Sequence, residues 1–174
     1  MKISDNRDIS AISSAISEVY DCKVKHNIKY LFDRQSLQTK ADAKTLSTND
    51  YSDYEKFFLR CFPGDTDDWL KEYFDGMVKQ GYCVGVYVDG IVVSCTDAPS
   101  MPYIADKVQE IGVNTLPDYR GKGLAAIVCE KAAENILLRG KVPQWSTTID
   151  NIASQKLAER VGFVKLADVF TVTL

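Results

Sequence analysis

The sequence predicts an α+β fold, and three stretches carry that prediction. The first spans residues 83–95, where Asp89-Gly90 between two β-branched runs specifies a two-residue hairpin. The second spans residues 108–125, an apolar-rich strand that turns at Pro117-Asp118 and runs through Arg120-Gly121-Lys122-Gly123 into a helix. The third is residues 142–174, where strand, helix and strand patterns follow in turn. A chain of 174 residues suits one domain with a real core and is short for two.

Taken in order, residues 9–24 read as a helix, with Ile9, Ile12, Ile16, Val19 and Tyr20 at helical spacing. Residues 27–33 read as a strand, and the polar stretch 40–48 has room for one short strand. Tyr54, Phe57, Phe58 and Cys61 form a helical stripe that Pro63-Gly64 ends. A second helix over residues 69–80 turns Leu70, Tyr73, Phe74 and Met77 inward. The acids of Asp65-Thr66-Asp67-Asp68 suit the positive end of that helix; the competing reading is a negative rim that attracts a cationic amine. After the hairpin and a loop with Pro99 and Pro102 comes the strand 108–115. The helix from Leu124 sets Ala125, Val128, Cys129, Ala132, Ala133, Ile136 and Leu137 on one face, and Arg139-Gly140 ends it. Residues 142–149 form a strand with Trp145, residues 151–160 a helix stopped by Gly162, and residues 163–174 a closing strand with a bend near Ala167-Asp168.

Composition removes several classes of function. The net charge is −3 without a basic block, which argues against nucleic acid as a partner. No stretch reaches the apolar length of a membrane span, and the first residues lack the apolar run of a signal peptide, so a cytoplasmic protein with no membrane partner is expected. The five cysteines are odd in number and scattered, which fits reduced, partly buried thiols better than a disulfide frame or a zinc site. His26 is the only histidine, and no metal is expected.

The Gly-rich turn is the centre of the functional reading. Glycines let a backbone approach a ligand closely, and the free N–H groups and dipole of a helix start favour an anion. The turn lacks the spacing of a phosphate loop and the third glycine of a dinucleotide fingerprint. Arg120-x-x-Gly123-x-Ala125 after a strand instead resembles the pyrophosphate-binding motif of the GNAT superfamily of acyl-CoA-dependent N-acyltransferases. A second motif, Asn151-x-x-Ser154-x-x-x-Ala158-x-x-x-Gly162-Phe163, resembles that superfamily's Asn-x-x-Ala-x-x-x-Tyr-x-x-x-Gly-Phe. Pro143-Gln144-Trp145 and Ser154-Gln155-Lys156-Leu157-Ala158 further resemble a bacterial subgroup. The resemblance covers residues 45–174 and implies a GNAT-like, α/β/α-layered fold: a mixed, mostly antiparallel sheet with helices on both faces. Residues 1–44 fall outside the pattern as an accessory segment, with an accessory lobe, an extra edge strand and a homodimer contact all open.

The same resemblance implies acetyl-CoA or a close acyl-CoA as co-substrate and a small-molecule or peptide amine as acceptor. The pyrophosphate would rest on the amides of Gly121, Lys122, Gly123, Leu124 and Ala125, beside Arg120. The pantetheine arm would pair with the backbone of Val113, Asn114 and Thr115, with an amide near Val113 facing the oxyanion. A typical alkylamine is protonated at neutral pH, its pKa being about 10, so a proton acceptor is useful. Glu110 is the candidate base, against a structural carboxylate paired with a Lys or Arg. The superfamily's thiolate-protonating tyrosine is replaced by Ala158; Ser154, one turn away, is the candidate donor, against a role in packing and cofactor contact. Asn151 is read as a helix cap that also touches the cofactor, and Trp145 as either pocket lining or core. The absent tyrosine keeps a second reading in view, an acyl-CoA-binding sensor or partner module without catalysis.

Overall fold

The computed structural model describes residues 6–20, 22–33, 43–64, 68–99, 101 and 104–173. Five helices run over Asn6–Tyr20 (α1), Tyr51–Cys61 (α2), Leu70–Gln80 (α3), Leu124–Leu138 (α4) and Ile152–Val161 (α5). Eight strands span Lys23–Phe32 (β1), Lys44–Thr45 (β2), Val84–Val88 (β3), Ile91–Asp97 (β4), Val108–Glu110 (β5), Gly112–Thr115 (β6), Val142–Thr148 (β7) and Phe163–Thr173 (β8). They form two four-stranded sheets, ordered β2-β3-β4-β6 and β5-β7-β1-β8. Every pairing is antiparallel except β5 with β7, so the expected mixed, mostly antiparallel arrangement is present.

The hairpin forms where Asp89-Gly90 places it. Both turn residues have positive φ, 50° and 78°, the twist that a right-handed strand pair accepts. Val88 pairs with Ile91 across the turn. Residues 92–96 of β4 are buried without a break, as a strand covered on both faces must be. Helix α4 packs on β3 and β4 from one side, and α2 packs on β4 from the other. Helix α5 packs on β7, β8 and α4, and α1 on β1. The α4 stripe is buried at Val128, Cys129, Ala132, Ala133 and Ile136, while Ala126 replaces Ala125 in the core.

Strand β1 lies inside the segment that the sequence sets apart as accessory, and it is an interior strand. It bonds to β7 through residues 27–31 and to β8 along its whole length, burying Ile28, Tyr30 and Phe32. Phe32 packs edge-on against Phe163 at 5.1 Å. Helix α1 stops at Tyr20, four residues before the sequence expectation, because Lys23 and Val24 are drawn into the ladder with Thr173 and Val172. The bend expected near Ala167 is a register shift, in which Lys29 and Tyr30 face Ala167 and Lys165 and leave Leu166 unpaired. The short strand sought within 40–48 is β2, although residues 40–42 lie outside the described set. Asp65, Thr66 and Asp67 also lie outside it. The first cap position of α3 is Trp69, without a side-chain cap, and its first-turn acid is Glu72.

The single strand expected over residues 108–115 is two strands in two sheets. Ile111 N–H donates to Gln144 O at 2.9 Å and is the last bond to β7. From Gly112 the chain follows β4 instead, pairing Gly112 with Asp97 and Thr115 with Ser94. One strand cannot serve two diverging neighbours along its whole length, so a gap opens between β6 and β7.

If β1 is structural core, Phe32→Ala should cost about 3–5 kcal/mol by cavity formation. Tyr20→Ala, at an exposed position of α1, should fall within about 0.5 kcal/mol of the parent. Urea unfolding midpoints of the two variants provide the comparison.

Candidate active site

The gap between β6 and β7 is a cleft of about 940 Å³. Its floor is the splayed strand. Leu116 N–H donates to Val93 O, so alternation directs the amides of Asn114 and Gly112 toward β4. Those of Ile111, Val113 and Thr115 face the β7 side; the first reaches Gln144, and the other two point across the gap. Arg120 Nε donates to Thr115 O at 3.0 Å, tying the Gly-rich turn to the end of the strand.

The turn itself is built for close approach. Gly121 and Gly123 have φ of 75° and 80°, and at Gly121 an added Cβ would meet nothing within 4 Å. These glycines are therefore required by backbone conformation and not by crowding. Gly123 is the cap residue of α4 and makes no side-chain cap, which leaves first-turn amides facing the cleft. Arg120, Gly121, Gly123, Leu124 and Ala125 all line it. Lys122 does not; its Nζ lies 4.9 Å from the centre of the Tyr119 ring. Lys25, Arg120, Lys156 and Arg160 line the cleft, and no carboxylate does among the described residues, in a chain whose net charge is −3. Arg160 was not singled out in the sequence; its guanidinium stands 3.6 Å from where a Cβ on Gly123 would be. The signal was available, since Arg160 follows Lys156 by one turn on a helix that faces the Gly-rich turn.

Across the gap, Asn151 caps α5 by accepting from Ser154 N at 3.1 Å. Trp145 is buried against Phe163 and still lines the cleft, and its indole Nε1 donates to Ser154 Oγ at 3.0 Å. An indole N–H can only donate, so the serine accepts there and keeps its own proton for another partner. Ala158 is fully buried in α5. Ser146 Oγ, on the cleft wall, is shielded from solvent and without a hydrogen-bond partner.

Glu110 ends β5, one residue before Ile111, and alternation turns it away from the cleft that Ile111 lines. Its Oε2 accepts from Gln144 Nε2 at 2.9 Å and pairs with Lys29 Nζ at 3.2 Å. The carboxylate is held from two strands, one of them β1, a contact that no local pattern announces. A second carboxylate, Asp97, ends β4 directly opposite Gly112. Its Oδ1 is shielded from solvent and takes no hydrogen bond. A Cβ on Gly112 would stand 1.8 Å from that oxygen, so the glycine is what admits the acid. Burial raises the Asp97 carboxyl to about 6, with help from the Glu110 charge and opposed by the Gly112 N–H. Sequence reasoning passed over Asp97, because one acid at the end of an apolar strand is ordinary until its neighbours are known.

Known proteins resemble this chain throughout. The family model described as GNAT acetyltransferase matches residues 9–168. The uncharacterized N-acetyltransferase YdfB of Bacillus subtilis is 30% identical over 99 residues, which cover 55% of this chain and 36% of that protein. A GNAT-family acetyltransferase from Colwellia psychrerythraea superposes with a TM-score of 0.72 at 17% identity, covering 91% of this chain and 60% of that one. The structure of yncA from Salmonella typhimurium, solved with its cofactor acetyl-CoA, gives a TM-score of 0.61 at 17% identity, over 72% of this chain and 80% of that one. The chain thus spans about a third of the curated relative and three-fifths of the Colwellia protein.

The raised acid has a thermodynamic consequence. Its folded carboxyl lies above the ordinary aspartate value of about 4, so folding favours the protonated form and the stability it confers is lost as pH rises through about 6. Asp97→Asn should match the parent near pH 4 and exceed it at pH 8 by no more than about 3 kcal/mol. Thermal melts across that range test it; an equal difference at both ends refutes the buried acid.

Proposed function

The chain belongs to the GNAT acetyltransferase family, and on that premise we propose that it moves an acetyl group from acetyl-CoA to the amine of an acceptor by direct attack in a ternary complex. The observation that carries this reading is a strand edge left open at Val113 and Thr115, facing an uncapped helix start across a cation-lined cleft. The residues present fit a CoA thioester as substrate. The amides of Gly121 to Ala125, with Arg120 and Arg160, suit a pyrophosphate, and Lys122 adds charge at the same turn. The Val113 and Thr115 amides suit a pantetheine arm running as an added strand beside Asn114, with the Val113 N–H available to the developing oxyanion. Asn151 holds the start of α5 at the far wall.

Proton handling falls to groups on both sides of the floor. Removal of the amine proton is assigned to Glu110, pinned by Lys29 and Gln144, together with Asp97, whose carboxyl the Glu110 charge helps to raise. Ser154, oriented by Trp145, is assigned to the departing thiolate; a thiol of pKa about 8.5 asks little of it. The non-catalytic binding-module reading rests on Ala158 alone and finds no further support.

Titration with acetyl-CoA, followed by assay of free CoA with amines, tests the reading. Gly123→Asp should weaken acetyl-CoA binding at least tenfold, through a side chain forced into positive φ and a negative charge at the anion site. An unchanged dissociation constant in that folded variant would falsify the assignment. Glu110→Gln should lower kcat roughly a hundredfold while leaving acetyl-CoA affinity within twofold.

A further inference from the structure

On the far side of β4 from α4 lies a second cavity, of about 380 Å³. Aromatic side chains from α2, α3 and the cap residues Phe62 and Trp69 form its wall in an unbroken run. Phe62 and Phe58 stand 4.9 Å apart, Phe58 and Trp69 5.5 Å, and Trp69 and Tyr73 5.6 Å between ring centres. Two of these rings are exposed where a core would cover them, Phe62 at 38% and Trp69 at 48%. Asp97 lines the inner end, with its unpartnered Oδ1. Asn114 lines this cavity and the cleft alike, so both spaces border the splayed strand.

Aromatic faces and a shielded carboxylate are together a poor core and a good receptor. Rings attract a cation across their faces and cover an apolar body, and a buried carboxylate with one oxygen unpartnered has room for a donor. Gly112, which no side chain could replace without displacing Asp97, keeps the acid against the strand whose amides face the thioester site. We propose that this cavity is the acceptor subsite, and that it takes a primary amine on an aromatic or bulky apolar body, with Asp97 as the counter-charge of its ammonium group and the receiver of its proton. The proposal rests on the transferase reading for its chemistry and on this cavity alone for its ligand.

The step balances without a further reactant. The ammonium passes one proton to the Asp97 carboxylate, and the neutral nitrogen forms a C–N bond to the thioester carbon. The C–S bond breaks with its electron pair on sulfur. The second nitrogen proton goes to the thiolate, and Asp97 returns its proton to water. Products are the amide, free CoA and one proton.

Calorimetric titration with phenethylamine and ethanolamine, each without and then with acetyl-CoA, tests this. Phenethylamine should bind the protein alone at least tenfold more tightly than ethanolamine. Trp69→Ala, at a half-exposed position, and Asp97→Asn should each weaken that binding at least tenfold, with acetyl-CoA affinity unchanged within twofold. In turnover, Trp69→Ala should act on the KM for the amine, and Asp97→Asn should lower kcat at least a hundredfold. Equal binding of the two amines, or phenethylamine binding that neither variant alters, overturns the proposal. If phenethylamine binds as expected while acetyl-CoA does not bind at all, the amine site stands and the transferase reading falls.

Discussion

One hydrogen bond marks the limit on which the rest of the molecule depends: Ile111 N–H to Gln144 O, the last tie between the central strand and β7. Up to that point the backbone belongs to one sheet, and beyond it to another. Peptide groups normally find partners on both sides of an interior strand. Here Val113 and Thr115 do not find them in β7, and the unmet demand is concentrated where a ligand can answer it. The Gly-rich turn, the start of α4 and the cap of α5 all border the same opening. The separation of β6 from β7 is therefore the cause of the site, and the charged residues are secondary to it.

The two faces of the splayed strand are used differently. Toward α4 and α5 the surroundings are cationic, with Arg120, Lys156 and Arg160 set against a chain of net negative charge. Toward α2 and α3 they are aromatic and acidic, with Asp97 admitted by the missing side chain of Gly112. An anion and a cation would thus approach the same short backbone segment from opposite sides. The raised carboxyl of Asp97 represents stability given up to keep an ionisable group buried beside the strand.

Local chemistry was legible in the sequence, and long-range pairing was not. Asp89-Gly90, the positive-φ glycines of the 120–123 turn, Asn151 as a cap and Gly162 as a stop each act within a few residues, and each is found in the expected place. Most residues of the two motifs, from Arg120 to Ala125 and from Asn151 to Ser154, line the same cleft, while Phe163 at the end of the second is core. What escaped depends on residues far apart in the chain. Strand β1 meets β8 some 140 positions later, with no local sign of which edge it would take. Glu110 was legible as a strand carboxylate, but its partner Lys29 was not. Asp97 acquires its meaning only from Gly112 opposite and from rings on two helices.

The interior position of β1 also bears on how the chain is made. Synthesis delivers Ile28, Tyr30 and Phe32 early, whereas β7 and β8, the strands that cover and bond them, come last. Loop closure over most of the chain must precede that pairing, which is the slow kind of contact in folding. A nascent chain would display these apolar side chains until β7 and β8 have been made. The sheet cannot close before then, and that interval is when this polypeptide is most open to chaperones and to misassociation.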